Sequence, residues 1–375
     1  MSALPPILAA VAAADPYPFY AELRRRSFFF DEALGAWVAA DAAAVEAVLA
    51  DPRLRVRPAA EPVPAAIAGS AAGEIFRQLA RMDDSPGQVA VKAALGAALA
   101  GAAGAAPAIA DRWARRLLEA GASYDELAFW LPAATLGELL GLPEGDPAAL
   151  AARIGALARC FAPGCRPEDA AAGIAAAEPL CELCGLAVDG KEKASASPLL
   201  AELCRRLPGR REAILANTIG LFTQAHEATA GLLAGSLLAA MRNPAVRLAL
   251  SAGPAAAAAA VAEVALLDPP VQNTRRFAAA PLQLLGQQLE PGDTILVLLA
   301  AASRDPRASG PAGSSWGHGR HACPGSALAV SIAAAGAAAL AAADAIPAEA
   351  PPFSYRPSLN TRVPLFGAAR PGRTS

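Results

Sequence analysis

Aromatic side chains and charges are scarce in this chain of 375 residues. Aromatic residues make up 5% of it and charged residues 18%, whereas hydrophobic residues make up 55%. Disordered chains combine low hydrophobicity with high net charge, so this composition excludes a mainly disordered protein. The formal net charge is only −2, and such a balance gives no reason to expect nucleic acid or an anionic membrane as a partner.

The chain also lacks a recognisable secretory signal and a long unbroken apolar run. Its first residues carry two prolines and no basic segment, so we expect no targeting peptide. The longest apolar stretches, 252–267 and 329–343, are rich in alanine and shorter than the roughly 20 residues that a bilayer span needs. These absences predict a soluble, cytoplasmic protein without a membrane segment.

Cysteine is present, but not in the pattern of a disulfide framework. The six cysteines are spread over a long chain, unlike the dense cysteines of small secreted domains. Cys181 and Cys184 form a lone Cys-x-x-Cys without a second pair or a nearby histidine. We interpret them as small apolar side chains of a helix and not as a zinc site.

Helical patterns dominate the first two thirds of the chain, and short strands dominate only near its C-terminus. The segment 211–242 has no proline and is followed by Asn243-Pro244, a helix stop. Earlier helices are expected to break at prolines such as Pro107 and Pro132. Short apolar runs predict strands at 28–31, 36–39, 272–277, 282–285 and 294–299. The prediction is a mainly α (α+β) fold, a large helical body with a small β region, in one domain over residues 1–375.

The segment 315–326, Ser-Trp-Gly-His-Gly-Arg-His-Ala-Cys-Pro-Gly-Ser, is the most informative part of the sequence. Its three glycines permit tight turns and a close approach of the backbone to a large, flat ligand. Cys323 lies just before a predicted helix, whose N–H groups and dipole stabilise a thiolate. Such a thiolate is a good axial ligand for haem iron, and His321 can reach an anionic group of the same ligand.

This segment resembles the haem-binding loop of the cytochrome P450 superfamily. The motif Phe-Gly-x-Gly-x-His/Arg-x-Cys-x-Gly is matched over 316–325 with one departure, Trp316 for Phe. The resemblance implies the helical fold of soluble bacterial P450s and haem b as cofactor, with Cys323 as the thiolate ligand of its iron. It also places Trp316, His321 and Gly325 among the cofactor-binding residues.

The resemblance continues in order along most of the chain. The segment 224–231 resembles the central helix that crosses the distal face of the haem. The segment 268–277 resembles the strand entry whose arginine, here Arg276, pairs with a haem propionate. The family's propionate-binding pattern His-x-x-x-Arg is Gln88 to Lys92 in this chain. An amide and an ammonium can still donate to a carboxylate, so we expect both residues to bind the cofactor more weakly than the usual pair.

Two departures affect the proximal architecture. The family's Glu-x-x-Arg is Glu263-Val-Ala-Leu266 here, and the stretch from Arg307 to Ser315 is only nine residues long, much shorter than the family's meander. Both changes remove partners from one Glu–Arg–Arg network. We therefore expect Glu263 to lie in a buried site without its ion pair, which is costly, unless Arg304 or Arg307 replaces the lost arginine.

A third departure lies on the central helix, where the family usually has an acid followed by threonine. Here Glu227 is followed by Ala228, and Thr229 comes one residue later, about 100° further round the helix. The hydroxyl that helps to deliver protons during O₂ activation is therefore missing. We predict Glu227 and Ala228 as the catalytic positions, with a distal proton role for Glu227.

Three functions are compatible with these residues. The first is a haem-thiolate monooxygenase that acts on a small organic substrate of the secondary-metabolite type, free or carrier-bound. It would receive electrons from a ferredoxin-like partner near Arg304, Arg307 and Arg320. The second is a haem enzyme that uses peroxide or performs redox-neutral chemistry. The third is a catalytically degenerate member of the fold that binds or recruits another molecule.

Overall fold

The computed structural model describes residues 4–190, 197–308 and 314–372. In this part, the α-helices are α1 (Pro6–Ala9), α2 (Tyr17–Arg26), α3 (Ala42–Ala50), α4 (Ala71–Gln78), α5 (Pro86–Ala102), α6 (Ala106–Glu119), α7 (Tyr124–Leu139), α8 (Pro147–Cys160), α9 (Pro167–Val188), α10 (Pro198–Arg206), α11 (Arg211–Arg242), α12 (Pro244–Ser251), α13 (Pro254–Leu267), α14 (Leu299–Ser303) and α15 (Ser326–Ala342). The strands are β1 (Phe28–Asp31), β2 (Ala36–Ala39), β3 (Leu54–Arg55), β4 (Thr274–Ala278), β5 (Leu282–Leu284), β6 (Gln287–Leu289), β7 (Thr294–Val297), β8 (Ser354–Tyr355) and β9 (Pro364–Leu365). The mainly α fold with a small β region is confirmed.

The 32-residue helix α11 runs through the centre of the helical body. It packs against α4, α7, α8, α9, α13 and α15, so residues on all sides of it are buried. A helix buried all round carries apolar residues on every face, which accounts for its weak amphipathic pattern. It ends as predicted at Asn243, whose side chain accepts a 2.9 Å hydrogen bond from the N–H of Ala245 and caps the next helix.

The main sheet brings the beginning of the chain next to its C-terminal third. Its strand order is β1-β2-β7-β4-β3. Strand β2 pairs parallel to β7, with Trp37 opposite Ile295, whereas the other pairs are antiparallel. Helix α3 follows β2 and begins at the predicted cap, where Asp41 accepts the N–H of Ala44 at 2.8 Å. The sheet thereby positions α3, and the C-terminal end of α3 contacts the glycine-rich loop that precedes Cys323.

Two details of the predicted secondary structure were wrong. Pro132 does not break a helix but lies inside α7 with its ring buried, because apolar packing offsets the one backbone hydrogen bond that a proline removes. Strand β6 had not been predicted, because Gln287 and Gln288 are polar. It pairs with β5 through a turn at Leu285 and Gly286, whose φ angles of 50° and 80° suit a tight hairpin.

Two helices are long and apolar enough to cross a membrane by length and composition, Pro167–Val188 and Gly319–Ala342, and a bent pair, α5 with α6, passes the same test when taken together. The sequence argument that no apolar segment is long enough was therefore wrong, since it stopped at short alanine runs. In the fold, α9 packs on α8 and α11, and α15 packs on α6, α11 and α13.

The two ends of the described chain are tied together by a buried arginine. Arg362, between β8 and β9, is 3% exposed. Its guanidinium pairs with Asp268 at 3.1 Å and donates to the carbonyls of Val11, Ala13 and Ala14. Charge-assisted hydrogen bonds of this kind offset the cost of burying the charge. The C-terminal hairpin is thereby fixed beside α11, where it contributes to the site described next.

Candidate functional site

The glycine-rich loop forms a compact turn that ends at Cys323. Gly317 and Gly319 have φ angles of 72° and 63°, which favour glycine. A Cβ on Gly319 would lie 3.3 Å from the carbonyl oxygen of Leu49 at the end of α3. The N–H of Cys323 donates to the carbonyl of Trp316 at 2.8 Å, and α15 begins three residues later. The loop therefore holds the cysteine at the start of the helix, as predicted.

The thiol of Cys323 has free surface, although protein surrounds it. It is the one exposed cysteine of the six, and burial raises its pKa, opposed by the N–H of Gly325 and the charge of Lys92. The thiol is therefore accessible to a ligand at the start of α15. Gly325 itself has a φ of −103° and a Cβ there would meet Leu99 at an ordinary 3.8 Å, so space is not what requires this glycine.

Two predicted cofactor-binding side chains contact the cysteine loop. Gln88 and Lys92, one turn apart on α5, both donate to the carbonyl of Arg320, Gln88 at 3.4 Å. Burial lowers the pKa of Lys92, opposed by Cys323 and assisted by Arg276, so these groups lie within electrostatic reach of one another. The helix α5 and the loop thus meet at the positions that the sequence pattern predicted.

Arg276 is a buried cation whose side chain has one hydrogen-bond partner, a backbone carbonyl, within the part of the chain that the structure describes. It lies on β4, is 5% exposed, and donates to the carbonyl of Arg275 at 2.8 Å. Burial lowers its pKa to about 10, opposed by Asp84 and assisted by Arg320. A buried guanidinium without a contacting carboxylate is costly. Arg276 therefore has unused capacity to bind an anion beside Cys323.

Asp84 is a member of this site that the sequence analysis did not identify. It is the acceptor for His321 at 3.0 Å and for Arg320 at 2.9 Å, and it also accepts the N–H of Val56 at 2.9 Å. His321 was expected to face a propionate, but in the structure its ring contacts this carboxylate. The available signal in the sequence was an acid four residues before Gln88, the first residue of the binding pattern on α5.

The distal residues differ more from the prediction than the proximal ones. The carboxylate of Glu227 accepts a 2.5 Å hydrogen bond from the hydroxyl of Thr361 and lies 3.3 Å from the guanidinium of Arg356. Both partners belong to the C-terminal hairpin, whose sequence carried no signal for such a contact. Ala228 is half-buried, and Thr229 is buried on the neighbouring side of α11. The structure therefore brings a hydroxyl to Glu227 from a different element.

The expected environment of Glu263 was wrong. Glu263 is exposed on α13, so water solvates the carboxylate and no buried charge results. Neither suggested substitute reaches it. The guanidinium of Arg304 stacks 3.3 Å over the ring of Tyr17, and Arg307 pairs with Asp305 at 3.0 Å and Asp41 at 3.3 Å. Of the predicted meander stretch, residues 309–313 lie outside the described residues.

Cys181 and Cys184 lie on α9, the first half-buried and the second buried, as small apolar side chains. No group of three or more potential metal-ligating His, Cys, Asp or Glu side chains occurs within residues 4–190, 197–308 and 314–372. The single thiol of Cys323 is therefore the metal-binding candidate that the described chain offers.

Comparison with known proteins supports the same relationship. No protein-family model matches the chain. It is 33% identical to Protein TylM3 of Streptomyces fradiae over 322 residues, which cover 80% of this chain and 68% of that protein. It is 32% identical to cytochrome P450 monooxygenase PikC of Streptomyces venezuelae over 222 residues, 55% of this chain and 52% of PikC. The match thus spans about half the length of PikC, and likewise of cytochrome P450 144 of Mycobacterium tuberculosis.

Solved structures agree over nearly the whole chain. The crystal structure of CalO2 superimposes with a TM-score of 0.79 at 26% identity and covers 97% of both chains. That of P450BioI, in complex with an acyl carrier protein ligated to hexadec-9Z-enoic acid, gives 0.78 at 21% identity, covering 93% of this chain and 96% of that one. At that identity the second likeness shows the fold alone.

Fold, cysteine loop and relatives agree, and the chain belongs to the cytochrome P450 superfamily. Within the superfamily it is an atypical member, because Leu266 replaces the Arg of Glu-x-x-Arg and Ala228 replaces the distal Thr.

The residues of the site fit a haem. The free thiol surface of Cys323 suits an iron ligand. Arg276 and Lys92, each bonded only to backbone carbonyls among the described residues, suit the two carboxylates of a porphyrin. His321 is less available, since Asp84 already occupies its ring nitrogen. The fit is therefore carried by one thiol and two cations, with Gln88 as a neutral donor between them.

Proposed function

We propose that this chain is a haem-thiolate monooxygenase-type oxidoreductase that acts on a small organic substrate. The observation that carries the proposal is the thiol of Cys323, which has free surface at the start of α15 in a loop that Lys92 and Gln88 contact at the carbonyl of Arg320. A bound haem b would supply thiolate-ligated iron, which favours O–O bond cleavage. Arg276 and Lys92 would hold its carboxylates, and Trp316 and Gly325 would support the loop that presents the ligand.

Glu227 is the proposed proton carrier on the distal side. Its carboxylate is half-buried and already bonded to the hydroxyl of Thr361. That hydroxyl lies 2.8 Å from the hydroxyl of Ser358, so protons can pass between neighbouring oxygens toward Glu227. Ala228 leaves room and no hydroxyl at the next position. Thr361 would thus provide the function that the missing threonine provides in typical relatives.

The proposed partners follow from the class of enzyme. A ferredoxin-like protein would donate electrons at the surface that carries Arg304, Arg307 and Arg320, where the side chain of Arg307 is 70% exposed. The substrate would be a small secondary metabolite or a carrier-bound intermediate, and the carrier-bound complex of P450BioI supports the second form. The place of action would be the cytoplasm.

A specific observation favours a second function, a haem enzyme that uses peroxide or performs redox-neutral chemistry. Arg356 lies 3.3 Å from Glu227, so this carboxylate is already engaged in an ion pair. Chemistry that needs no proton delivery from this acid is insensitive to that contact. A third possibility, a catalytically degenerate binding protein, is favoured by the engagement of His321 with Asp84.

The ferrous–carbonyl difference spectrum of the purified protein tests the proposal. We expect a band at the thiolate position in the native chain and its loss in Cys323→Ser, because the hydroxyl is a poor ligand for this iron. Cys204→Ser, at a half-buried cysteine of α10, is the matched control and should keep the band.

A native protein that takes up no haem when haem is supplied would refute both haem functions. Turnover with peroxide but not with reductant and O₂ would favour the second function over the first.

A further inference from the structure

A surface pocket lies where the end of α2 meets the start of α3 and the segment that follows α14. Its volume is about 460 Å³. It opens to solvent, because Arg25 and 70% of the side chain of Arg307 are exposed. The cysteine loop contacts the opposite end of α3, so the two sites are separate. The polar side chains of the pocket wall are Arg24, Arg25, Ser27, Asp41, Asp305 and Arg307.

The two carboxylates of the pocket wall are already bound within the protein. Asp41 caps α3 by accepting the N–H of Ala44 at 2.8 Å, and Asp305 accepts the N–H of Ala42 at 3.0 Å. The guanidinium of Arg307 pairs with both acids, at 3.3 Å from Asp41 and 3.0 Å from Asp305. Both aspartates are buried. One arginine of the pocket is therefore committed to its two acids, and the acids serve the fold.

Two further arginines, on the last turn of α2, line the same pocket without a carboxylate partner among the described residues. Arg24 is half-buried and donates to the carbonyl of Ala301 at 3.1 Å. Arg25 takes part in no hydrogen bond, ion pair or ring contact in the part of the chain that the structure describes. Burial lowers the pKa of Arg24, and repulsion from the neighbouring arginines lowers it further, whereas only Asp305 opposes this. The open pocket therefore holds an excess of positive charge.

Ser27 adds a hydroxyl to the pocket wall in an unusual backbone conformation. Its φ angle is 57°, which is uncommon for a residue other than glycine. Two backbone hydrogen bonds hold it there: its N–H donates to the carbonyl of Arg24 at 3.1 Å, and its carbonyl accepts the N–H of Ala40 at 2.9 Å. Its hydroxyl has no hydrogen-bond partner within the described ranges. Strained residues of this kind cluster at ligand sites, and the hydroxyl is a free donor beside Arg24 and Arg25.

We propose that this pocket binds the phosphate group of a small phosphate monoester. One guanidinium fork already matches the two coplanar oxygens of a carboxylate. A phosphate monoester carries about two negative charges and three acceptor oxygens that point in different directions, so it suits two guanidiniums and a hydroxyl. Three arginines against two aspartates in the wall favour a ligand with more than one charge. The inference goes beyond the proposed function and does not depend on haem.

Calorimetric titration of the purified protein with phenyl phosphate and with benzoate, at constant ionic strength and about pH 7.5, tests the inference. We expect phenyl phosphate to bind about 10-fold or more tightly than benzoate, since it can engage both arginines. Arg25→Gln should weaken phosphate binding about 10-fold, and it removes no contact of the folded protein. Arg26→Gln is the matched control, because Arg26 lies on the same turn but stacks 3.5 Å over Phe29 and is not part of the pocket wall.

Phenylglyoxal, which modifies accessible arginines, shows where the ligand binds. Phenyl phosphate should protect Arg24 and Arg25 from modification, but not Arg26, as measured by peptide mass spectrometry. Absence of binding, equal affinity for benzoate, or the same loss in Arg26→Gln as in Arg25→Gln would overturn the assignment. Tighter binding of an acidic peptide than of phenyl phosphate, lost in Arg25→Gln, would overturn it in favour of a protein-docking surface. Melting temperatures check that each variant is folded. Because none of these readouts uses haem, they succeed or fail separately from the carbonyl spectrum.

Discussion

The proximal and distal regions of this protein depart from the family pattern in different ways. On the proximal side the loop, the cysteine and the cations Lys92 and Arg276 lie together as the sequence pattern implies. On the distal side the helix carries Glu227 and Ala228 without the usual threonine, and Thr361 and Arg356 come from the C-terminal hairpin. The proposed cofactor-binding residues thus keep the positions of the family pattern, whereas the proposed residues for proton delivery come from other elements.

The difference teaches that the two regions face different constraints. A ligand to iron requires one atom at one place, and a loop with two left-handed glycines at 317 and 319 specifies that place locally. A proton path requires only a chain of exchangeable oxygens, which any neighbouring element can supply. The predictions below test this contrast, beginning with the cation that should matter most to the cofactor.

Arg276→Gln should have opposite effects on the apoprotein and on the haem complex. Removing a buried charge with one carbonyl partner should raise the free energy of unfolding of the apoprotein by about 1 kcal/mol or more. Losing a charge-assisted bond to a haem carboxylate, worth about 1.5–3 kcal/mol, should speed haem dissociation roughly 10–100-fold. Denaturant unfolding and haem transfer to an apoprotein acceptor measure the two effects.

The neighbouring Arg275→Gln is the control, because Arg275 lies on the same strand and is half-buried. It should leave haem dissociation nearly unchanged. A fall in stability of the Arg276→Gln apoprotein would mean that the guanidinium has a structural partner, and the assignment to the cofactor would then be wrong.

Asp305→Asn tests the segment that leads from α14 toward the cysteine loop. Burial raises the pKa of Asp305, but hydrogen bonds from Arg307 and from the N–H of Ala42 outweigh it and lower the pKa to about 2. The folded-state pKa lies below the unfolded value, so this stabilisation is present above about pH 4 and is lost as the pH falls toward 2. We expect a loss of at most about 2 kcal/mol at pH 7.

The same reasoning predicts how that loss changes with pH. The difference in unfolding free energy between native protein and Asp305→Asn should fall by about half at pH 3, since the carboxylate of the unfolded chain is then largely protonated whereas that of the folded chain is not. Asp15→Asn is the control, at an exposed carboxylate that accepts the N–H of Tyr17 just before α2, and should show only a small difference. A gap that stays constant from pH 7 to pH 3 would show that the charge of Asp305 does not contribute.

Thr361→Val tests whether the hydroxyl bonded to Glu227 delivers protons or only stabilises the fold. Removing a hydroxyl bonded to a carboxylate should cost about 1–2 kcal/mol of stability. If the hydroxyl also delivers protons, hydrogen peroxide release per reductant consumed should rise several-fold, since general acid catalysis contributes about 10²-fold or more. The measurement is the ratio of product formed to reductant oxidised, with its solvent isotope effect.

The conservative replacement Thr361→Ser keeps the hydroxyl. Its ratio of product formed to reductant oxidised should therefore stay close to that of the native protein. Ser358→Ala tests the outer oxygen of the same chain and should have a smaller effect in the same direction. Thr361→Val could lose stability as expected and still form as much product per reductant oxidised as the native protein. That result would make Thr361 a structural residue and would favour the peroxide or redox-neutral function.

The proximal site could be predicted from the sequence because its determinants are close together in the chain. Trp316, His321 and Cys323 lie within one loop, and Gln88 and Lys92 are one helical turn apart. The contacts of Asp84 and of Glu227 could not be predicted, because each depends on which distant elements pack together. The exposure of Glu263 was missed for a similar reason: the sequence pattern gave its family role, whereas its solvation depends on how α13 is placed.

Leu266→Arg should therefore have the smallest effect, although it restores the family's Glu-x-x-Arg. Glu263 is exposed and Leu266 is half-buried one turn away on α13, so the restored pair would be a surface i,i+3 contact worth about 0.2–0.5 kcal/mol. Haem retention should stay unchanged, because no third partner of the network contacts Glu263 among the described residues. A double-mutant cycle with Glu263→Gln measures the interaction energy between Glu263 and the new arginine.

A large gain in haem retention from Leu266→Arg alone would show that the proximal network needs only its arginine. The proposed link between the lost arginine and the shortened meander would then be wrong.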